Sequence, residues 1–274
     1  MTTNKKGKIL YITSLDNSLV KQIRSLTKKK YREVHNKFIA EGEFFLNEAI
    51  NSKWKICYVL FDNTKEDSFN DNKDLQFLKS KGTNIIFVTK DILIKVTERD
   101  NPQDFLFVVE KKQFKIPNNL LNHHISIILE NIRDPGNLGS IFRTIEALGV
   151  KNCFLIGNCV DPYSREVIRS SMGSLFNLEF LKLTEKEIIK WSLKNNINLI
   201  GTSLNTNKSF LNYKWEFPLS LIFGNEKNGI SGFFENKCKD NIKIFSKGRA
   251  KSLNVSVACG IITQEVIRKI PNNY

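Results

Sequence analysis

The chain has 274 residues, 41% of them hydrophobic, and a net charge of +14 from 42 Lys and Arg against 28 Asp and Glu. That length suits two domains, each able to bury a core. The cationic excess favours polyanionic partners through phosphate neutralisation and counterion release, and it is concentrated early: the first 60 residues hold 12 Lys and Arg and 5 Asp and Glu. The five cysteines form no Cys-x-x-Cys pair, and His123 and His124 have no cysteine at zinc spacing. A disulfide framework and a structural zinc site are therefore not expected, and reduced thiols suit a cytoplasmic protein. The opening MTTNKKGKIL lacks the apolar run of a signal peptide, and no apolar stretch reaches membrane-spanning length. Phe is unusually frequent, at 20 copies; most of these rings are expected in cores, while some are free to stack on bases.

In chain order, Leu19, Ile23 and Leu26 recur at helical spacing between Leu15 and His35, with Lys21, Arg24, Lys28, Lys29, Lys30 and Arg32 among them. This predicts one amphipathic helix with a cationic outer face. Next come a strand over 37–42, a helix over 43–51 and a strand over 55–61. The polar stretch 63–74 reads as a loop. A helix over 75–81, a strand over 84–89, a helix over 91–98 and a strand over 104–110 complete a small α/β domain. The stretch 111–124 has one proline, three asparagines and no periodicity, and reads as a linker. The expected division is a domain over 1–112, a linker over 113–124 and a second domain over 125–274.

From Ile125 the alternation is cleaner. Strands are expected at 125–130, 152–157, 177–183, 197–203, 219–224 and 240–245. Helices are expected at 138–148, 164–172, 185–195 and 253–270. Six short strands joined by helical crossovers imply a mostly parallel sheet covered on both faces. Ligands of such sheets bind beyond the carboxyl ends of the strands, which directs attention to three loops.

The first, NIRDPGNLGSIFRT, follows the strand at 125–130; Asn137 suits a helix cap, and Arg143 lies in a segment expected to be largely buried, where it needs a partner or a ligand. The second, GNEKNGIS, runs off an apolar strand into Gly224, Asn225 and Glu226. It has no G-K-[ST], and Glu226 would repel phosphate, so it is not a phosphate loop. The third, SKGRAKSLNVSVA, sets the basic Lys247, Arg249 and Lys251 before Ser252 and Asn254 at a helix start. Each segment alone also fits an ordinary turn or cap.

Together, in this order and spacing, the three resemble the signature motifs of the SpoU (TrmH-like) RNA 2′-O-ribose methyltransferases over roughly 125–270. They read N-x-x-D-P-x-N-x-G-x-x-x-R-T, G-N-E-x-x-G-I-S and S-L-N-V-S-V-A, and Lys227 stands where that family often has Gly. The segment 23–50 is similar to the family's ribosomal-protein-like substrate-binding domain. The resemblance implies a deep trefoil knot in the parallel-sheet domain and a homodimer with the active site near the subunit interface. It implies S-adenosylmethionine held near Thr202, Leu204, Ile222, Gly224, Ile244 and Leu253. Catalytic roles fall on Arg143, Asn137, Glu226, Ser252 and Asn254, with no metal. Because a guanidinium holds its proton firmly, Arg143 is expected to act by electrostatics and positioning, with Asn137 orienting it or the substrate. RNA contacts are expected from Arg24, Lys28, Lys29 and Arg32 and from the loop 247–251. Ribosomal RNA is the expected substrate, with transfer RNA, base methylation or a catalytically silent RNA-binding protein as alternatives.

Overall fold

The computed structural model describes residues 7–118, 120–250 and 252–270. Residues up to Gln113, together with Tyr163–Ile168, make one compact unit. Phe114–Pro162 and the chain from Arg169 make a second.

In the first unit the elements are β1 (Ile9–Ile12), α1 (Ser18–Ser25), α2 (Lys29–His35), β2 (Lys37–Glu41), α3 (Glu43–Asn51), β3 (Ile56–Asp62), α4 (Glu66–Asp71), α5 (Lys73–Ser80), β4 (Asn84–Val88), α6 (Lys90–Thr97) and β5 (Phe105–Glu110). The sheet order is β1-β4-β3-β5-β2. β1, β4 and β3 are parallel, while β5 runs antiparallel to both β3 and β2. One core layer gathers Ile23, Leu60, Ile86, Val96 and Val108. Phenylalanines fill another part: Phe61 stacks on Phe105 at 5.6 Å, and Phe69 meets Phe87 edge-on at 5.2 Å.

Three departures from expectation have physical causes. The single basic helix is two, because Arg32 folds back. It is buried, and its guanidinium donates to the Leu26 carbonyl at 2.9 Å and the Thr27 carbonyl at 2.7 Å, beyond the end of α1. The expected loop 63–74 contains α4 and the start of α5. Phe69 anchors it in the core, and the Asn72 side chain accepts from the Leu75 amide as an N-cap. The edge strand β1 went unforeseen because it is short and exposed; Tyr11 lies on Phe87 at 5.2 Å.

The second unit contains β6 (Ile125–Glu130), α7 (Pro135–Ala147), β7 (Asn152–Ile156), the end of α8 (Arg165–Ser170), β8 (Glu179–Leu183), α9 (Glu185–Lys194), β9 (Asn198–Thr202), β10 (Leu219–Phe223), α10 (Gly232–Lys237), β11 (Asp240–Ile242) and α11 (Val255–Arg268). All six strands are parallel, in the order β11-β9-β10-β6-β7-β8. β6 and β10 sit side by side where the strand order reverses. Between them the buried Ser126 and Ser220 hydroxyls satisfy each other at 2.5 Å. Residues on either side of position 119 lie along this unit: Phe114 packs on Phe180 at 5.5 Å, Trp191 donates to the Pro117 carbonyl at 2.8 Å, and Ile116 and Leu120 meet the core. Among the described residues no helix is long and apolar enough to cross a membrane.

Candidate active site

Open parallel sheets bind ligands past their carboxyl ends, at the point where strand order reverses. Here that point lies between β6 and β10, and the loops leaving those strands are tied together. The Asn225 amide donates to the Asn131 carbonyl at 3.1 Å. The carboxylate of Glu130, buried at the end of β6, accepts the Ser231 amide at 2.7 Å and fixes the far side of the loop 224–231.

Helix α7 begins with Asp134 as N-cap, whose carboxylate accepts the Asn137 amide at 2.7 Å, followed by Pro135 in the first turn. Asn137 is thus inside the helix rather than its cap, and its side chain is free for tertiary contacts. Its Nδ2 donates to Glu226 Oε1 at 2.5 Å, and its Oδ1 accepts from Asn254 Nδ2 at 2.9 Å. Asn254 in turn caps α11, its Oδ1 accepting from the Ser256 amide and hydroxyl. Glu226 also accepts from Asn225 at 3.2 Å. Three distant loops therefore meet in one chain of charge-assisted and neutral hydrogen bonds.

Beside this network lies a cavity of about 310 Å³, at the lower end of the roughly 300–1,000 Å³ typical of small-molecule pockets. The ends of β9, β10 and β11 floor it, and the start of α11 closes one side. Its walls mix apolar surface from Leu204, Ile244 and Leu253 with the carboxylates of Glu226 and Glu235. Glu235 accepts from the Ser203 hydroxyl at 2.6 Å. At Gly224 an added Cβ would stand 2.0 Å from the Gly229 backbone, so only glycine lets the two limbs of this loop close.

A model of the SpoU rRNA Methylase family matches residues 124–264, just over half of the chain. The chain belongs to this family. A second model, the MRM3-like substrate binding domain, matches residues 17–106. The relatives of this SpoU chain include the 23S rRNA (guanosine(2553)-2′-O)-methyltransferase of Bacillus subtilis, 28% identical over 92% of this chain and 96% of its own length. The 23S rRNA (uridine(2479)-2′-O)-methyltransferase of Streptomyces viridochromogenes is 27% identical, over 85% of each chain. Among solved structures, the AdoMet-bound rRNA methyltransferase of Sinorhizobium meliloti aligns over 96% of this chain and 98% of its own, with 29% identity and a TM-score of 0.84.

Of the site residues expected for a SpoU enzyme, Asn137, Glu226 and Asn254 come together directly. Ser252 lines the cavity without joining their network. Thr202, Leu204, Gly224, Ile244 and Leu253 also line it. Ile222 does not: it is fully buried beneath, and its carbonyl accepts the Thr202 hydroxyl at 2.9 Å. Arg143 departs from expectation. It is exposed, does not line the cavity, and makes no hydrogen bond or ion pair among the described residues. Ile141, Phe142 and Ile145 occupy the buried face of α7 and leave Arg143 on the other. Arg32, expected to face RNA, is the buried bracket described above. Arg24, Lys28, Lys29, Lys247 and Arg249 are exposed, and Lys251 lies outside the described residues. Sequence reasoning gave no role to Glu130, Asn225 or Glu235; Glu130 directly precedes the first motif and Asn225 lies within the second, and the Asp-Pro pair at 134–135 was a legible helix-start signal.

Burial raises all five cysteine thiols above their ordinary value, and Cys238, beside Glu130 and Glu235, is pushed up to about 12.

Proposed function

We propose that this chain is an S-adenosylmethionine-dependent RNA 2′-O-ribose methyltransferase acting on 23S-type ribosomal RNA. The observation that carries the reading is the junction of Asn137, Glu226 and Asn254 at the rim of the β9–β11 cavity. RNA binding alone requires no such network, and family membership with two named 23S rRNA 2′-O-methyltransferases as relatives supports the same chemistry.

The cavity fits the cofactor. The Gly224–Gly229 closure leaves peptide groups at the strand ends, Leu204, Ile244 and Leu253 offer apolar walls, and Glu226 and Glu235 favour a ligand carrying positive charge. When bound, S-adenosylmethionine supplies an activated methyl group. The protein's task is to bring a ribose hydroxyl in line with it and to favour its loss of a proton. Asn137, held from both ends by Glu226 and Asn254, is preorganised to position the ribose, and Ser252 adds a hydroxyl at the same rim. Arg143 stabilises the developing alkoxide or grips the adjoining phosphate through its fixed charge.

Because Arg143 stands apart from its own subunit's network, the site is completed in a homodimer. The exposed apolar residues Leu253, Val257 and Ile261 at the start of α11 (42%, 49% and 40% exposed) support a subunit contact there. A trefoil knot in this domain belongs to the same reading, with Ile244, Ser246, Ser252 and Leu253 lining the same cavity as the ends of β9 and β10. So do a cytoplasmic location, an RNA-gripping role for the domain over 1–112, and phosphate contacts by Arg24, Lys28, Lys29, Lys247 and Arg249, with Lys251 in the same loop.

Ribose methylation mapped across ribosomal and transfer RNA, with and without the gene, tests the proposal. One nucleotide of 23S rRNA should lose its resistance to alkaline cleavage when the gene is absent. A change confined to transfer RNA would overturn the substrate, and a modified base without 2′-O-methylation would overturn the reaction.

A further inference from the structure

Tyr31 is an exposed aromatic residue in a strongly cationic stretch, with Lys28, Lys29, Lys30 and Arg32 around it in the chain. It lies on α2, whose one buried residue is Arg32, and faces a shallow groove between α1 and α2 lined by Ser18, Leu19, Lys21, Gln22, Ser25, Tyr31 and His35. Tyr31 is 37% exposed, and its ring is nearly parallel to the His35 imidazole, at 15° and 6.4 Å. Gln22 donates to His35 Nδ1 at 3.2 Å and holds that ring from the α1 side. Lys30 Nζ lies 5.9 Å from the Tyr31 ring centre. Arg24 and Lys28, exposed nearby in the chain, have no acidic partner among the described residues, while Lys21 pairs with Asp16 at 2.8 Å.

We propose that this groove docks an unpaired nucleobase of RNA, with the Tyr31 face as the stacking platform. The inference rests on the RNA-methyltransferase reading for the nature of the partner and names the part of that partner the first unit takes. Cations alone would follow the phosphate backbone of any RNA. A ring wall adds a π-face, which only a base out of its helical stack can meet. The His35 ring behind Tyr31 extends the platform, and the Gln22 and Ser18 side chains on the opposite wall offer hydrogen bonds to a base edge. Domain positions that favour unpaired bases would direct the protein to a loop or bulge rather than to a regular duplex.

The test uses the full-length protein and two fluorescein-labelled probes, a single-stranded oligo(A) of roughly 12 nucleotides and a blunt RNA duplex of similar length. Tyr31→Ala should weaken oligo(A) binding about tenfold and leave the duplex unchanged, whereas Tyr31→Phe should keep the affinity within about twofold. Lys28→Ala should weaken both probes. A 2-aminopurine placed in the oligo should be quenched by wild type and not by Tyr31→Ala. The proposal is overturned if Tyr31→Ala binds oligo(A) like wild type, if it weakens the duplex equally, or if wild type binds no oligo(A) at all. Ribosomal RNA methylation by the wild type is measured alongside. Methylation with a Tyr31-indifferent oligo sinks only the groove, while Tyr31-dependent binding without methylation sinks only the enzymatic reading.

Discussion

The two units use polar residues in opposite ways. In the second, Asn137, Glu226 and Asn254 lie 89 and 117 positions apart in the pairs that join them, and each is held by another. Their placement is a product of the whole sheet, so removing one disturbs its partners. In the first, the groove residues all fall within 18–35 and stand on two short helices. They are set by local structure and one buried bracket, Arg32. A site assembled across a fold is preorganised and intolerant of change; a site displayed along a helix pair is additive and tolerant. Changes to the groove of the first unit should therefore weaken RNA grip and leave cofactor binding intact.

The largest expected effect falls on the residue that belongs to neither pattern. Arg143→Ala should lower the single-turnover methylation rate on the order of 100- to 1,000-fold, the scale for removing one preorganised charge stabiliser. Cofactor affinity and melting temperature should stay unchanged, because the side chain is exposed and outside the cavity. Full single-turnover activity in this variant would remove Arg143 from the mechanism.

Next is Gly224→Ala. The new Cβ would stand 2.0 Å from the Gly229 carbonyl group, so backbone must move, and overpacking of this kind costs about 1–3 kcal/mol. If that cost falls on the loop when it closes around a ligand, calorimetry should show S-adenosylmethionine binding weakened by roughly 10- to 100-fold, with oligo(A) affinity intact. Equal loss of both affinities would contradict the separation of the two units.

This contrast also explains what the sequence made legible. The parallel strands β6, β7, β9 and β10 were readable because they are short, mostly apolar runs bounded by glycine or polar residues. The motif residues were readable only as a constellation. The exposure of Arg143 was available in the helical period, since positions 138, 141, 142 and 145 share one face and 143 lies opposite; counting apolar neighbours rather than their angles hid it. The break between α1 and α2 was not available, because it depends on where the Arg32 guanidinium finds its carbonyls. Nor was α4, whose hold on the core is the single ring of Phe69 in an otherwise polar stretch.

The smallest effect sharpens the contrast most. Replacing Arg24, Lys28 and Lys29 together with Ala should flatten the salt dependence of oligo(A) binding. For single strands each neutralised phosphate contributes about 0.7 to the slope of log affinity against log salt, so three full contacts would remove about 2. Lys29 already lies 3.9 Å from Glu33, and both side chains are well exposed, so this pair is weak and mobile. Lys29 divides its charge between Glu33 and RNA, and the measured change should fall between the values for two contacts and three, roughly 1.4 to 2. Because the three cations stand on the surface and bracket nothing, unlike Arg32, the variant should keep the wild-type melting temperature and cofactor affinity. A slope that stays at the wild-type value would move the RNA path off this helix pair and onto the loop 247–251.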